Sequence, residues 1–278
     1  MPRDVNVTKT RPLNTGRLIR FSIIDYLNAL PLNLAFKDGR FEDSAELMFD
    51  FPSQCADNLA AGRADVGLIS SIEYQRIPEL CVAPHICIAS RHEVKTVLIL
   101  TKKALADVRV VAVDRFSRSS AALLQILFLR HYGTRPQMVT MSPNPAKMLE
   151  TADAALIIGD AALRLEPGDY EAIDLASAWF RMTGLPFVFA FWAMRRDCPT
   201  GEIGGMLLDA KRYGLEEYPR RIREIQQRWP LSEEEIHRYF SVHIHFDMAE
   251  AELESLKRFY AYAGEAGLIR EALPLVLA

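Results

Sequence analysis

Residues 108–132 read VRVVAVDRFSRSSAALLQILFLRHY, and the stretch changes character twice. Residues 108–113 form a continuous β-branched run, the pattern of a strand buried on both faces. The next seven, Asp114-Arg115-Phe116-Ser117-Arg118-Ser119-Ser120, are polar, and residues 121–132 are helix-forming up to a stop at Gly133. Strand, polar turn and helix make one unit of an α/β protein, and the same succession recurs along the chain. Residues 18–24 are β-prone and lead through Asp25-Tyr26-Leu27-Asn28 towards Pro31. Residues 52–61 read as a helix with Ser53 near its cap, and the strand 64–69 that follows Gly62 ends in Ser70-Ser71. Residues 154–158 end in Gly159-Asp160 ahead of another helical start. Strands alternating with helices predict parallel sheets with helices on their faces.

Shorter strands are expected at 86–89 and 96–101, on either side of the charged turn Ser90-Arg91-His92-Glu93, and at 187–192 after Thr183-Gly184-Leu185-Pro186. Beyond Asp197 the chain turns helical. Ser232 with Glu235 and Asp247 with Glu250 have capping-box spacing, so helices are expected to start there, the last running towards Gly264.

A chain of 278 residues implies two lobes or one large α/β unit, since domains usually hold roughly 100–200 residues. Half the residues are hydrophobic and a quarter charged, which excludes a disordered or fibrous chain. A net charge of -3 leaves no polybasic field for nucleic acid or an anionic membrane, so the expected partner is a small molecule. The first residues carry Arg3, Lys9, Arg11 and Arg17 with no apolar stretch after them, and read as a polar leader rather than an address. The longest apolar run, 186–194, falls well short of the roughly 18 residues that span a bilayer. A soluble, cytoplasmic protein is expected. Cys55, Cys81, Cys87 and Cys198 lack metal or redox spacing, and neither an internal repeat nor a flexible linker is visible.

A helix that starts directly after a strand presents free N–H groups and a positive dipole end, so Ser117-Arg118-Ser119-Ser120 is either an anion cradle or an ordinary cap with Arg118 in solvent. Asn28, Ser70, Ser71 and Gly159-Asp160 stand in the same relation to their strands, and α/β folds bind ligands at such ends. His243-Ile244-His245 would put two imidazoles on one strand face, but no third ligand accompanies them and a surface or capping role is expected. Neither a GxGxxG, Walker, GxSxG nor HExxH pattern occurs.

Five blocks together carry a family resemblance. Tyr26-Leu27-Asn28-Ala29-Leu30-Pro31-Leu32, the run 65–74, Ser117-Arg118-Ser119-Ser120, the run 158–163 and the run 183–190 resemble, in order and spacing, the chorismate dehydratases of the futalosine route to menaquinone. The likeness covers about residues 17 to 270; Ser119 stands where Thr is common in the family, with hydroxyl chemistry kept. It implies a two-lobed type II periplasmic-binding-protein-like α/β fold with a cleft between lobes. Residues 17–97 plus 188–278 would form the first lobe, 98–187 the second and 1–16 a leader, with the strands 96–101 and 186–192 as crossings.

The implied reaction removes water from chorismate to give 3-[(1-carboxyvinyl)oxy]benzoate, with no metal or organic cofactor. Asn28 and Thr96 would be the catalytic groups. Tyr26, Ser70, Ser71, Ser90, Ser117, Arg118, Ser119, Ser120, Gly159, Asp160, Thr183, Gly184 and Phe187 would bind substrate. The family-matching loops offer hydroxyls and amides but only Asp114, Asp160 and Glu73 as carboxylates, so the enolpyruvyl carboxylate of the substrate is expected to take the ring proton itself. The alternatives are the 1,4-dihydroxy-6-naphthoate synthase of the same pathway, which shares the fold, and a non-catalytic binding protein for a small carboxylate.

Overall fold

The computed structural model describes residues 17–165 and 168–278, so the leader expected over 1–16 lies outside the described residues. Along the chain come β1 (Ile19–Ile24), α1 (Leu30–Lys37), β2 (Ala45–Asp50), α2 (Pro52–Ala60), β3 (Val66–Ser70), β4 (Leu80–Val82) and β5 (Ile88–Ser90). Then follow β6 (Val97–Thr101), β7 (Val110–Asp114), α3 (Ser119–Leu127), β8 (Gln137–Met141), α4 (Pro145–Thr151), β9 (Ala154–Ile158), α5 (Asp160–Leu163), β10 (Glu171–Asp174) and α6 (Leu175–Thr183). The chain closes with β11 (Phe187–Arg195), α7 (Thr200–Glu217), α8 (Ile222–Arg228), α9 (Glu233–Arg238) and α10 (Glu250–Glu265).

The strands form two sheets. One has the order β2-β1-β3-β11-β4, with β5 also on β11; the other has the order β10-β6-β9-β7-β8. Read from the opposite edge, the second becomes β8-β7-β9-β6-β10 and the common plan emerges. In each, a β-α-β-α-β unit puts its first strand between its second and third, all parallel, and an antiparallel strand lies beside the third. The duplication is architectural and leaves no repeat in the residues. It sets the carboxyl ends of β1 and β3 at one sheet edge and those of β7 and β9 at one edge of the other, where α/β proteins place their ligands.

The crossings differ from expectation. β6 is paired along both sides, with β9 and β10, and β11 with β3 on one side and β4 and β5 on the other. A strand hydrogen-bonded on both sides belongs to its sheet, so the chain passes between sheets in the segment 91–96 and returns through α6. Both central strands are buried through almost their whole length, which is why they read as apolar runs. Phe21 of β1 packs on Phe36 of α1 at 5.0 Å and edge-on to Trp192 of β11 at 6.1 Å, joining helix to sheet. Where α1 crosses α7 the backbones touch: a Cβ on Gly214 would fall 1.7 Å from the Pro31 carbonyl oxygen, so only glycine fits.

Helix starts follow the capping chemistry with two shifts. Ser232 accepts from the Glu235 N–H at 3.2 Å while Glu235 accepts from the Ser232 N–H at 2.7 Å, the expected reciprocal box. Asp247 instead pairs with Lys211, and α10 begins three residues later with Glu252 accepting the Ala249 N–H. Ser53 lies inside α2, which is preceded by Phe51 as cap residue, with the Gln54 side chain accepting its N–H. Among the described residues no helix is long and apolar enough to cross a membrane.

The chain after α10 returns along the edge strand β4. Val82 N–H donates to the Val276 carbonyl at 2.9 Å and Ala278 N–H to the Val82 carbonyl at 3.0 Å. The same tail grips the 3-10 turn Ser71–Gln75. Gln75 donates to the Leu273 carbonyl at 3.0 Å and accepts the Leu273 N–H at 2.6 Å. Tyr74 Oη donates to the Pro274 carbonyl and accepts the Val276 N–H, both at 3.0 Å. Two side chains thus satisfy four backbone groups of the tail. Tyr74→Phe, which strands two of them in a mostly buried place, is expected to cost about 1–3 kcal/mol in urea denaturation; an unchanged midpoint would mean that the tail is not held through this hydroxyl.

Candidate functional site

Asp114 ends β7 almost fully buried and shapes the turn after it: its Oδ1 accepts the Phe116 N–H at 2.9 Å, and its carbonyl accepts the Ser117 N–H at 2.9 Å. The turn delivers the chain into α3, whose first turn has no side-chain cap, so its N–H groups remain for an anion. Ser117 Oγ is buried without a hydrogen-bond partner among the described residues. Ser120 is also buried.

Ser119 does something else. Its Oγ accepts the Ile72 N–H at 3.0 Å and lies 3.0 Å from Ser71 Oγ, which itself donates to the Val188 carbonyl at 2.7 Å. A hydroxyl has one proton, so with that of Ser71 on Val188, Ser119 is the donor to Ser71. Both hydroxyls are therefore engaged in joining α3 to the ends of β3 and β11. Arg118 reaches from the same turn to Asp57 of α2 at 3.5 Å and to Glu73 at 3.9 Å.

A second contact between the two sheets starts at the end of β1. The Leu27 N–H donates to Asp160 Oδ1 at 3.1 Å, and the Tyr26 ring lies flush on Gly159, where a Cβ would come within 2.7 Å of it. Gly159 also has φ of +62°, so glycine is required there twice over. The amide oxygen of Asn28, in the 3-10 turn Leu27–Ala29, is buried and finds no donor. Ser90 Oγ, at the end of β5, is likewise buried and without a partner among the described residues; Ser70 ends β3 opposite Ala190 of β11. Phe51 stacks on Phe116 at 4.0 Å and an interplanar angle of 16°, and the Arg115 guanidinium lies over the Phe116 ring at 4.8 Å. Segments from the two sheets therefore meet at four points.

Thr96 carries structure here rather than a free hydroxyl. Its carbonyl accepts the Gly159 N–H at 2.8 Å, and its Oγ1 sits 3.0 Å from Tyr239 Oη and 3.4 Å from the Val94 carbonyl. Tyr239, in the turn after α9, was not foreseeable: nothing in a helical C-terminal region marks one tyrosine as a partner of the chain between the sheets. Thr183 and Gly184 are not brought to the group. Thr183 Oγ1 donates to the Trp179 carbonyl and accepts the Leu185 N–H, and Gly184, at φ +73°, ends α6 in the left-handed cap that follows helices. Phe187 is fully buried against Trp179, Phe189 and Phe259. His243 Nδ1 contacts the Glu93 carbonyl and His245 Nε2 contacts Glu252, so the pair does not converge; among the described residues no group of three or more His, Cys, Asp or Glu could hold a metal ion.

Burial pushes the Asp114 carboxyl up to about 6, against the pull of the Phe116 N–H and Arg115. Burial also raises Asp160, opposed by the Leu27 N–H. The Tyr26 hydroxyl is raised by burial and then by the charges of Asp114 and Asp160. The space beside Tyr26 already disfavours negative charge on protein groups, so an anion bound there depends on the N–H groups and hydroxyls around it.

A family model described as menaquinone biosynthesis matches residues 19–265. The chorismate dehydratase of Thermus thermophilus is 30% identical over 221 residues, covering 73% of this chain and 78% of that protein. The chorismate dehydratase of Campylobacter jejuni is 30% identical over 177 residues, 61% of this chain and 65% of that protein. Among solved structures, protein AF1704 from Archaeoglobus fulgidus matches with a TM-score of 0.73 at 19% identity, covering 90% of this chain and 98% of its own. The periplasmic aliphatic sulphonate binding protein SsuA from Escherichia coli matches with a TM-score of 0.63 at 16% identity, over 94% of both chains. The two sheets thus build the two-lobed fold of the periplasmic binding proteins.

A carboxyl raised by burial stabilises the fold while protonated, fully so below its ordinary value of 3.8, and loses that contribution as pH rises through about 6. Asp114→Asn, which keeps an acceptor for the Phe116 N–H, is expected to gain on the wild type between pH about 4 and about 7 by on the order of 3 kcal/mol. Urea denaturation across that range measures the difference, and a constant gap would exclude a buried carboxylate at this position.

Proposed function

The chain belongs to the menaquinone-biosynthesis family of the chorismate dehydratases, and from that premise we propose a hydro-lyase step in which chorismate loses water to give 3-[(1-carboxyvinyl)oxy]benzoate. A proton leaves ring C3, the hydroxyl leaves C4, and the ring becomes aromatic. Hydrogen and hydroxide together make the water, so no electron acceptor enters the balance.

What supports this reading most is that the buried polar atoms without partners among the described residues include Asn28 Oδ1, Ser90 Oγ and Ser117 Oγ, the last in the turn that leads into the uncapped start of α3. Chorismate offers two carboxylates and a hydroxyl, and a buried polar atom left unpaired costs about 1–3 kcal/mol that such a ligand recovers. The lobe 17–97 plus 188–278 contributes Tyr26, Asn28, Ser70 and Ser90. The lobe 98–187 contributes Ser117, Arg118, Ser120, Gly159 and Asp160. One carboxylate lies at the α3 N-terminus, where the N–H groups and dipole favour charge. The enolpyruvyl carboxylate takes the C3 proton, because Asp114 and Asp160 are already occupied as acceptors of backbone N–H groups. Asn28 then contacts the substrate and holds its reacting groups, while Thr96, tied to Tyr239, is a positioning residue behind Gly159.

The dienol-to-benzoate absorbance change of purified protein with chorismate follows the reaction. Asn28→Ala is expected to lower kcat by roughly 100-fold or more, whereas Asp114→Asn and Asp160→Asn lose less than the roughly 100-fold that removal of a general base costs. Either carboxylate variant abolishing turnover with chorismate affinity intact would overturn proton transfer to the substrate's own carboxylate. Chorismate unaltered at saturation would reduce the role to binding.

A further inference from the structure

A cavity of about 280 Å³ lies away from the cleft, between α3 and α6. Leu124 and Leu127 of α3 and Phe128 form one wall, Leu175 and Met182 of α6 the other. Its polar groups are His131, Tyr132 and Arg181, and no carboxylate lines it. Arg181, in the last turn of α6, has neither a hydrogen-bond nor an ion-pair partner among the described residues. The segment Phe128–Tyr132 is a π-helical turn, an arrangement that costs regular hydrogen bonding and is frequent at functional sites. A cavity of about 150 Å³ holds a benzene ring, so this one accommodates a bicyclic ring.

Both walls are tied to places where the two sheets are joined. α3 starts at Ser119, whose hydroxyl is bonded to Ile72 and Ser71. α6 starts at Asp174, which accepts the Ser177 N–H as a cap and, through its other oxygen, the N–H groups of Val94 and Lys95, next to Thr96 in the passage between the sheets. A shift of α6 relative to α3 therefore acts on one contact and one chain passage between the two sheets.

We propose that this cavity is a second binding site for a small planar aromatic monocarboxylate, its ring between the leucines and Phe128 and its carboxylate on Arg181, and that occupancy changes the affinity of the cleft for its own ligand. Apolar walls with a rim of one unpaired guanidinium and no acidic group select that chemistry over a neutral or cationic one.

The test uses 2-naphthoate as probe on the full chain, with calorimetry for both ligands so that the outcome does not depend on turnover. Saturable binding of 2-naphthoate that Arg181→Ala weakens by roughly tenfold, together with a change in chorismate affinity of roughly fivefold or more in the wild type that the variant loses, is the expected result. Arg181 is exposed, so the variant retains the fold and its chorismate affinity in the absence of probe. Met182→Trp, which fills the cavity, is expected to abolish probe binding alone. No binding, binding with equal affinity to Arg181→Ala, simple competition with chorismate, or binding that leaves chorismate affinity unaltered would each overturn the proposal.

Discussion

A directed chain of buried hydrogen bonds joins the two sheets at the start of α3. Ser71 gives its proton to the Val188 carbonyl, which forces Ser119 to donate to Ser71 and leaves the Ser119 oxygen to receive the Ile72 N–H. All four groups belong to buried residues, so each would be costly unpaired. The chain of donors has a single direction, and it fixes the start of α3 against the ends of β3 and β11 at once. The start of α3, which has no side-chain cap among the described residues, keeps its N–H groups for a ligand, while Tyr26 with Gly159 and Leu27 with Asp160 make a second contact between the sheets. Threonine in place of Ser119 would keep this hydroxyl and add only a methyl group.

Electrostatics at the cleft has an unusual distribution. Asp114 and Asp160 are buried acids raised by desolvation, beside a tyrosine raised by both. A dianionic ligand would add to that repulsion if the carboxylates were free. They are not: each has a backbone N–H in hand, Phe116 for Asp114 and Leu27 for Asp160. Their work is to bend turns and to latch the lobes, and the donors left over, at the start of α3, are those that a carboxylate ligand can use.

The strands that were legible in the sequence and those that were not divide along a physical line. β3, β7, β9 and β11 lie inside their sheets, covered on both faces, and so appear as unbroken apolar runs. β2, β8 and β10 are edge strands; AELMFD, QMVTM and EAID mix half-buried and exposed residues with no clear period, only Ala45 being buried, and none was anticipated. Polar strand ends identified most of the groups that the structure brings together, because a polar cluster after a buried run has few other reasons to exist. Thr183-Gly184 is the exception that a helix stop explains: its groups are consumed in the cap of α6. Tyr239 stayed hidden because its role depends on a contact with Thr96 between residues far apart in the chain, which no local pattern records.

The position of β11 between β3 and β4 also governs how the chain can fold. The bond from Ser71 to Val188 closes 117 residues of sequence, and the first sheet lacks its central strand until that loop shuts. Contacts of such separation slow folding, because loop entropy is lost before they form. Here the intervening residues build a sheet of their own, and once β6 and β10 pair antiparallel the two passages out of it emerge together. The entropy of the long loop is then already spent, and β11 is delivered to its slot by a folded body rather than by a search. The second sheet is in this sense a template for the first, and a chain in which it is slow to form would leave β3 and β4 with open edges, the surfaces on which aggregation begins.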